Sequence, residues 1–382
     1  MKQVVVLGCT GSIGDTTFKV LEGLGGEYQV LGLSGGRQLD KLVARARAWK
    51  PAWVCVADPR DREVVAGQLP GVAVLSGEEG LCQLASLPEA DLIVNGLVGG
   101  VGLRPTLAGL AAGKVMGMAN KEPIVMAGGL LLAAAQAGGG QILPLDSEPN
   151  ALWQCLKGEA PGCLARLILT ASGGPFRGQT RAQMSAVTPE QALRHPTWKM
   201  GAKITVDSAT LMNKGFEVIE ASWLFGVGID QVEVLIHPES VVHSLAEFTD
   251  GALLAHLGRT DMVLPIQYAL THPHRRPAPL ERLDLTRVGQ LRFSAPDREN
   301  FPCLDLCYQA GRLGGTAPAL LSGADEVAVA AFLAGKISFL DIAELNGQVL
   351  EAQVPAPADS LEAVLEADAL GRRLAAAWIA KK

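Results

Sequence analysis

Three acids in this 382-residue chain have the types and spacing that divalent-metal chemistry requires. Leu145-Asp146-Ser147-Glu148 closes an apolar run that reads as a strand, so two carboxylates stand at i and i+2 where open α/β sheets bind ligands. In extended backbone they share one face. The third, Glu217, lies in Met212-Asn213-Lys214-Gly215-Phe216-Glu217, one helical turn from Asn213, and the two can point into one cleft. Three carboxylates with no Cys or His beside them describe a hard oxygen site, which implies Mg²⁺ or Mn²⁺. The competing reading is that these acids cap helices or pair with Lys121 and Lys214 at the surface.

A second set of residues suits phosphate. The run Val4–Leu7 leads into Gly8-Cys9-Thr10-Gly11-Ser12-Ile13-Gly14 and then a helix from about Asp15 to Leu24. Such a strand-to-helix turn lets backbone amides approach a pyrophosphate at the positive end of a helix. The motif is a variant of G-x-G-x-x-G, and glycines there could serve close packing alone. An NAD-binding unit usually ends its second strand in an acid. Here that strand ends Leu33-Ser34-Gly35-Gly36-Arg37-Gln38, and Arg37 can pair with a 2′-phosphate bidentately, favouring NADP. Asp40 is expected in the first turn of the next helix.

Thr170-Ala171-Ser172-Gly173-Gly174-Pro175-Phe176 and Asp207-Ser208 each read as closing a strand, and with Lys214 they form an anion cradle for a phosphorylated substrate. Ser172 lacks the G-x-S-x-G elbow of an acyl nucleophile. Asn120-Lys121-Glu122 follows the sixth strand, where Lys121 is placed to supply a proton or neutralise an oxyanion near a nicotinamide. The polar segment from Phe176 to Gly201 is too long for a routine connection; it reads as an active-site lid or as a surface excursion. Within it His195 is a candidate substrate contact, and Trp198 either covers the substrate or packs the lid down.

The elements that must position these residues follow from hydrophobic period. Val4–Leu7, Gln29–Leu33, Trp53–Val56, Val72–Leu75, Leu92–Val94, Lys114–Met118 and Ile142–Leu145 alternate with helical segments, which predicts an α/β N-terminal Rossmann-like parallel sheet over 1–147. Leu164–Thr170, Ile204–Val206, Val232–Ile236, Val241–Phe248 and Ala252–His256 read as strands of an α+β catalytic domain with a lid loop over 148–278, several of them antiparallel. A Pro- and Arg-rich linker follows over 279–302. Ala317–Leu321, Glu326–Ala334, Ile337–Leu350 and Ser360–Ile379 suggest a small C-terminal helical domain over 303–382.

Composition sets the bounds. The net charge of −6 and the lack of a basic run exclude a phosphate-backbone footprint, so nucleic acid is not a partner. The apolar stretch Ile124–Ala137 is broken by Gly128-Gly129 and is too short to span a bilayer, which predicts a buried helix and no membrane association. The seven cysteines have no C-x-x-C spacing and read as reduced core thiols, and Cys303 and Cys307 lack the further ligands of a zinc site. The strand pattern starts directly after Met1-Lys2-Gln3, and the expected location is cytoplasmic.

Taken together, the chain resembles the 1-deoxy-D-xylulose 5-phosphate reductoisomerase family over nearly its whole length. The resemblance rests on Gly11-Ser12-Ile13-Gly14, Asn120-Lys121-Glu122, Asp146-Ser147-Glu148, Ser172-Gly173-Gly174-Pro175-Phe176, His195-Pro196-Thr197-Trp198, Asp207-Ser208-Ala209-Thr210 and Met212-Asn213-Lys214-Gly215 with Glu217. It implies conversion of 1-deoxy-D-xylulose 5-phosphate to 2-C-methyl-D-erythritol 4-phosphate, the first committed step of the non-mevalonate isoprenoid pathway, by retro-aldol rearrangement and reduction by NADPH. It also implies metal ligation by Asp146, Glu148 and Glu217, with Lys121, Glu148 and Glu217 catalytic. Lys121, Ser147, Glu148, Ser172, His195, Trp198, Ser208, Asn213, Lys214 and Glu217 would meet the substrate. Thr10, Gly11, Ser12, Ile13, Gly36, Arg37, Gln38, Asn120, Glu122 and Gly201 would contact NADPH, with Met200 and Met262 bordering the nicotinamide, in a homodimer. The chain departs from the family pattern at Pro149, where His is usual, at Cys9 and Arg37, and at Gly323-Ala324-Asp325-Glu326, where the family is Asn-rich. Rival readings are another NADP-linked aldehyde or homoserine-type dehydrogenase and a non-catalytic dinucleotide or sugar-phosphate sensor.

Overall fold

Val4, Val5, Val6 and Leu7 are all fully buried, as a continuous apolar run must be when its strand is covered on both faces. That strand, β1 (Lys2–Leu7), opens a repeating pattern in the computed structural model, which describes residues 1–198 and 200–382. Then come α1 (Ser12–Gly23), β2 (Tyr28–Gly35), α2 (Leu39–Trp49), β3 (Trp53–Val56), α3 (Arg62–Gln68), β4 (Ala73–Ser76) and α4 (Gly77–Ala85). The second half adds β5 (Leu92–Asn95), α5 (Leu103–Ala111), β6 (Val115–Met118), α6 (Glu122–Gly138) and β7 (Gln141–Pro144). The seven strands pair in parallel in the order β4-β3-β2-β1-β5-β6-β7. Strand order reverses between β1 and β5, the switch point where doubly wound sheets bind dinucleotides.

The chain continues through α7 (Ser147–Cys155), β8 (Leu164–Ala171), the one-turn helices α8 (Arg181–Met184) and α9 (Pro189–Ala192), α10 (Ala202–Thr210) and α11 (Met212–Phe225). After β9 (Val232–Ile236), β10 (Val242–Phe248) and β11 (Leu253–Leu257) come α12 (Val263–Thr271), α13 (Leu285–Val288), α14 (Cys303–Leu313), α15 (Ala317–Leu333), α16 (Phe339–Glu351) and α17 (Leu361–Ala380). A second sheet has the order β11-β10-β8-β9, with β8 and β9 parallel and the other pairs antiparallel. Contacts gather Met1–Pro123, Leu130–Ser147 and Met262–Glu281 into one unit and Ile124–Gly129, Glu148–Asp261 and Arg282–Lys382 into another. In the latter, Leu167 and Leu169 of β8 share a core with Leu320, Phe332 and Leu345 of the C-terminal helices.

Three expectations need correction. Ile204–Val206 is not a strand but part of α10, so Asp207 and Ser208 ride on a helix. The β-branched residues suggest extended backbone, yet Thr205, Val206, Asp207, Ala209 and Thr210 bury one side of a helix, and packing overrides propensity. Secondly, β7 stops at Pro144 and α7 begins at Ser147, so Asp146 and Glu148 do not share the face of a strand. Pro149 falls in the first turn of α7, where a missing N–H costs no helical hydrogen bond. Thirdly, Ala317–Leu321 and Glu326–Ala334 belong to one helix, α15.

The lid segment carries local order of its own. Thr180 with Gln183 and Thr188 with Gln191 form reciprocal capping boxes that start α8 and α9. All seven cysteines are unpaired. No helix among the described residues is long and apolar enough to cross a membrane.

Candidate active site

Asp146, Glu148 and Glu217 each offer one carboxylate oxygen, and the three oxygens lie within 4.8 Å of one another. Two buried lysines attend them. Lys121 Nζ is 2.5 Å from Asp146 Oδ2. Lys214 Nζ donates to Glu148 Oε1 at 2.6 Å and also to Glu217 Oε2. Burial works against charge on Lys214, but Glu148 and Glu217 outweigh it and hold its pKa above the ordinary value. Three carboxylates against two ammonium groups leave one negative charge, in an all-oxygen donor set that suits a hard divalent cation.

Helix α11 explains how Glu217 is aimed. Asn213 is one turn before it and donates Nδ2 to Glu217 Oε1 at 2.6 Å, fixing a carboxylate that is 1% exposed. Between α10 and α11, Leu211 adopts φ 62°, a left-handed conformation unusual for a bulky residue, and the helix direction changes there. Its side chain is buried, so core packing offsets the local strain.

The hydroxyls converge on His195. Its Nδ1 accepts from the amides of Thr197 at 3.2 Å and Trp198 at 2.9 Å, so the neutral ring carries its proton on Nε2. That proton faces Ser172 Oγ and Ser208 Oγ, each at 3.1 Å. Burial pushes the His195 pKa down to about 4, against a smaller upward pull from Glu148. The Gly174 amide also donates to Ser172 Oγ, at 3.2 Å, and Arg177 donates to the Ser172 carbonyl at 2.6 Å. The one Nε2–H is shared between the two hydroxyl oxygens, Ser172 Oγ accepts from the Gly174 amide as well, and both hydroxyl protons can be given to an anion.

The glycine turn after β1 is packed too closely for side chains at two of its positions. Gly8 has φ 74°, and a Cβ there would stand 2.5 Å from the Gly96 carbonyl oxygen, so the turns after β1 and β5 touch. A Cβ on Gly14 would meet the Cys9 carbonyl oxygen at 2.2 Å, whereas Gly11 has open space beyond 3.5 Å. Gly11 is the N-cap of α1 and has no side chain to cap it, so the first amides of the helix receive no side-chain acceptor from the N-cap position. Gly36, Arg37 and Gln38 are exposed beyond the tip of β2, and Asp40 is in the first turn of α2. Asn120 donates to Glu122 Oε2 at 2.7 Å and to the Gly99 carbonyl at 3.1 Å, tying the start of α6 to the loop after β5. Gly201 caps α10 in the other unit, as an exposed residue.

Sequence reading passed over His243, a buried residue of β10 whose ring centroid is 6.4 Å from that of Trp198 and 5.8 Å from that of His256. Burial lowers its pKa. Sequence reading also passed over Lys41 of α2, whose Nζ donates to the Thr10 carbonyl at 2.9 Å.

Comparisons with known proteins agree along the whole chain. Residues 4–128 match the family described as 1-deoxy-D-xylulose 5-phosphate reductoisomerase, residues 142–225 its C-terminal domain, and residues 257–374 the DXP reductoisomerase C-terminal domain. A 1-deoxy-D-xylulose 5-phosphate reductoisomerase of Anaeromyxobacter dehalogenans is 51% identical over 374 residues, covering 98% of this chain and 96% of the relative. One from Moorella thermoacetica is 50% identical, covering 98% of both. A crystal structure of DOX-P reductoisomerase with NADPH, fosmidomycin and magnesium superposes with a TM-score of 0.96 at 40% identity, covering 100% of this chain and 98% of that one. The Zymomonas mobilis enzyme in complex with NADPH gives 0.92 at 42% identity, covering 99% of both.

Proposed function

Because the chain belongs to the 1-deoxy-D-xylulose 5-phosphate reductoisomerase family, we propose that it converts 1-deoxy-D-xylulose 5-phosphate to 2-C-methyl-D-erythritol 4-phosphate with NADPH and a divalent metal. The observation that carries the site assignment is the cluster of Asp146, Glu148 and Glu217 oxygens within 4.8 Å, flanked by Lys121 and Lys214. In this reading the three acids hold Mg²⁺ or Mn²⁺. When bound, the cation supplies Lewis acidity toward the substrate's carbonyl and hydroxyl oxygens and NADPH supplies the hydride.

The chain's own groups do the rest. Ser172 and Ser208 are the proposed donors to the substrate phosphate, with the single His195 Nε2–H shared between their oxygens. Asn213 and Lys214 serve the neighbouring oxygens, and Ser147, whose amide donates to Asp146 Oδ1 at 3.0 Å, lines the same turn. Lys121 holds a proton at Nζ beside Asp146, where it can neutralise an oxyanion formed during rearrangement. Trp198, packed toward His243, excludes water when the lid is down. Thr10 to Ile13, Gly36 to Gln38, Asn120, Glu122 and Gly201 are the proposed NADPH contacts.

A homodimer is part of this proposal. β11 is an edge strand of its sheet and exposes Leu253, Leu254 and Leu257, a liability that pairing with a second copy removes. Seven unpaired cysteines fit a reducing compartment, which supports a cytoplasmic location. The test is an NADPH absorbance assay with 1-deoxy-D-xylulose 5-phosphate and Mn²⁺ or Mg²⁺. Turnover should vanish with EDTA and return with added metal; full-rate turnover in EDTA would support a metal-independent dehydrogenase instead. NADPH binding without consumption would support the sensor.

A further inference from the structure

Asp15 carries the wrong charge for its position. It lies in the first turn of α1, a few residues from the Gly11–Ile13 amides proposed to meet the cofactor's pyrophosphate. An acid there favours the helix but competes with a phosphate for the same positive pole. Four residues of helix rise only about 6 Å, inside the roughly 8–10 Å over which salt screens charge, so the repulsion is felt.

Two bases of α2 answer it. Lys41 Nζ is 2.8 Å from Asp15 Oδ1, and the Arg45 guanidinium pairs with the same oxygen. These residues are one helical turn apart and share a face. Arg45 is held by its guanidinium carbon lying 4.3 Å from the centroid of the Phe18 ring on α1. Lys41 has a second partner, the Thr10 carbonyl at 2.9 Å, inside the turn itself. Lys41 therefore shares with Arg45 the neutralising of the misplaced carboxylate and also pins the loop.

We infer that Lys41 is a positioning residue of the dinucleotide loop, compensating Asp15 and fixing the Thr10 turn so that the α1 amides stay available to a pyrophosphate. The inference rests on the reading that Gly8–Gly14 binds NADPH. It divides the basic residues of this region by the part of the cofactor they serve. Arg37 acts on the 2′-phosphate and so on the preference for NADPH over NADH. Lys41 acts on the pyrophosphate, which both cofactors share. The exposed ion pair itself adds little to stability, so cofactor binding rather than unfolding is the informative quantity.

The experiment is a fluorescence titration of NADPH and NADH against wild type, Lys41→Met, Asp15→Asn, the double variant and Arg37→Ala, with melting temperatures alongside. Lys41→Met should weaken both cofactors by about three- to tenfold, the scale of one helix-terminus charge, with their ratio and the melting temperature unchanged. Asp15→Asn in the Lys41→Met background should recover most of that loss, and Lys41→Arg should show none of it. Undiminished binding by Lys41→Met while Arg37→Ala loses NADPH would overturn the role of Lys41 and leave the cofactor site standing. A loss that Asp15→Asn does not relieve would overturn charge compensation. If neither Arg37→Ala nor Lys41→Met changed NADPH binding, the cofactor reading would fail, and this inference with it.

Discussion

Replacing Glu217 by Gln tests the proposed metal centre most directly. The side chain keeps its size, and its Oε1 can still accept from Asn213, which donates at 2.6 Å in the native helix. Lys214 retains Glu148 at 2.6 Å, so no ammonium group is left buried without a carboxylate. The local charge moves from one negative to zero, and because the amide nitrogen that replaces Oε2 cannot accept from Lys214, the fold should lose about 1.5–3 kcal/mol, the scale of one hydrogen bond to a charged group. The proposed cation, however, loses one of three anionic ligands. If the Lewis acid supplies several kcal/mol of transition-state stabilisation, forfeiting about 3–4 kcal/mol means a fall in kcat/KM of roughly 10²–10³. Titration calorimetry with Mn²⁺ should show weakened binding, and the NADPH absorbance assay should show the lost turnover. NADPH affinity should stay near wild type, because Glu217 and the Gly8–Gly14 loop belong to different compact units. Wild-type Mn²⁺ affinity with turnover within about threefold of native, far short of the loss expected from a missing Lewis-acid ligand, would refute Glu217 as a ligand. Parallel loss of NADPH binding would point to misfolding.

Other perturbations address other parts. Arg37→Ala should weaken NADPH more than NADH in paired titrations; an unchanged preference would remove Arg37 from the 2′-phosphate. Gly14→Ala places a Cβ 2.2 Å from the Cys9 carbonyl oxygen, so thermal unfolding should show a loss of about 1–3 kcal/mol together with weaker NADPH binding. Gly11→Ala, whose Cβ meets nothing nearer than 3.5 Å, should melt like wild type. His195, lowered from 6.5 to about 4 by burial, should stay neutral throughout pH 5–8. The unfolded chain takes up this proton below pH 6.5 and the folded one only near 4, so the associated stability is complete above 6.5 and drains away as pH falls toward 4. An imidazole titration by NMR with a midpoint near 6.5 would contradict the buried, hydrogen-bonded ring.

Much of the architecture is legible because it is written in local period. Val4–Leu7 announces a strand of a parallel sheet, and the glycines at 8, 11 and 14 a strand-to-helix turn. Residue chemistry alone likewise marks Asp146, Glu148 and Glu217 as hard oxygen donors. What period cannot encode is the outcome of packing. Ile204–Val206 has strand-like residues but lies in a helix, and Ser147 begins α7 where continued strand was expected. The carboxylates still meet, through a helix N-terminus and the second turn of α11 instead of one strand face. His195 is a lone histidine until the folded segment around it directs its Nε2–H to two serines, and Lys41 is a surface lysine until α2 lies against the Gly8–Gly14 turn. The sequence by itself determined which groups exist and which local elements carry them, since side-chain type and periodicity are properties of neighbours along the chain. Only tertiary structure decided which of those groups meet, because contact between distant segments is set by how helices and sheets fill a shared core.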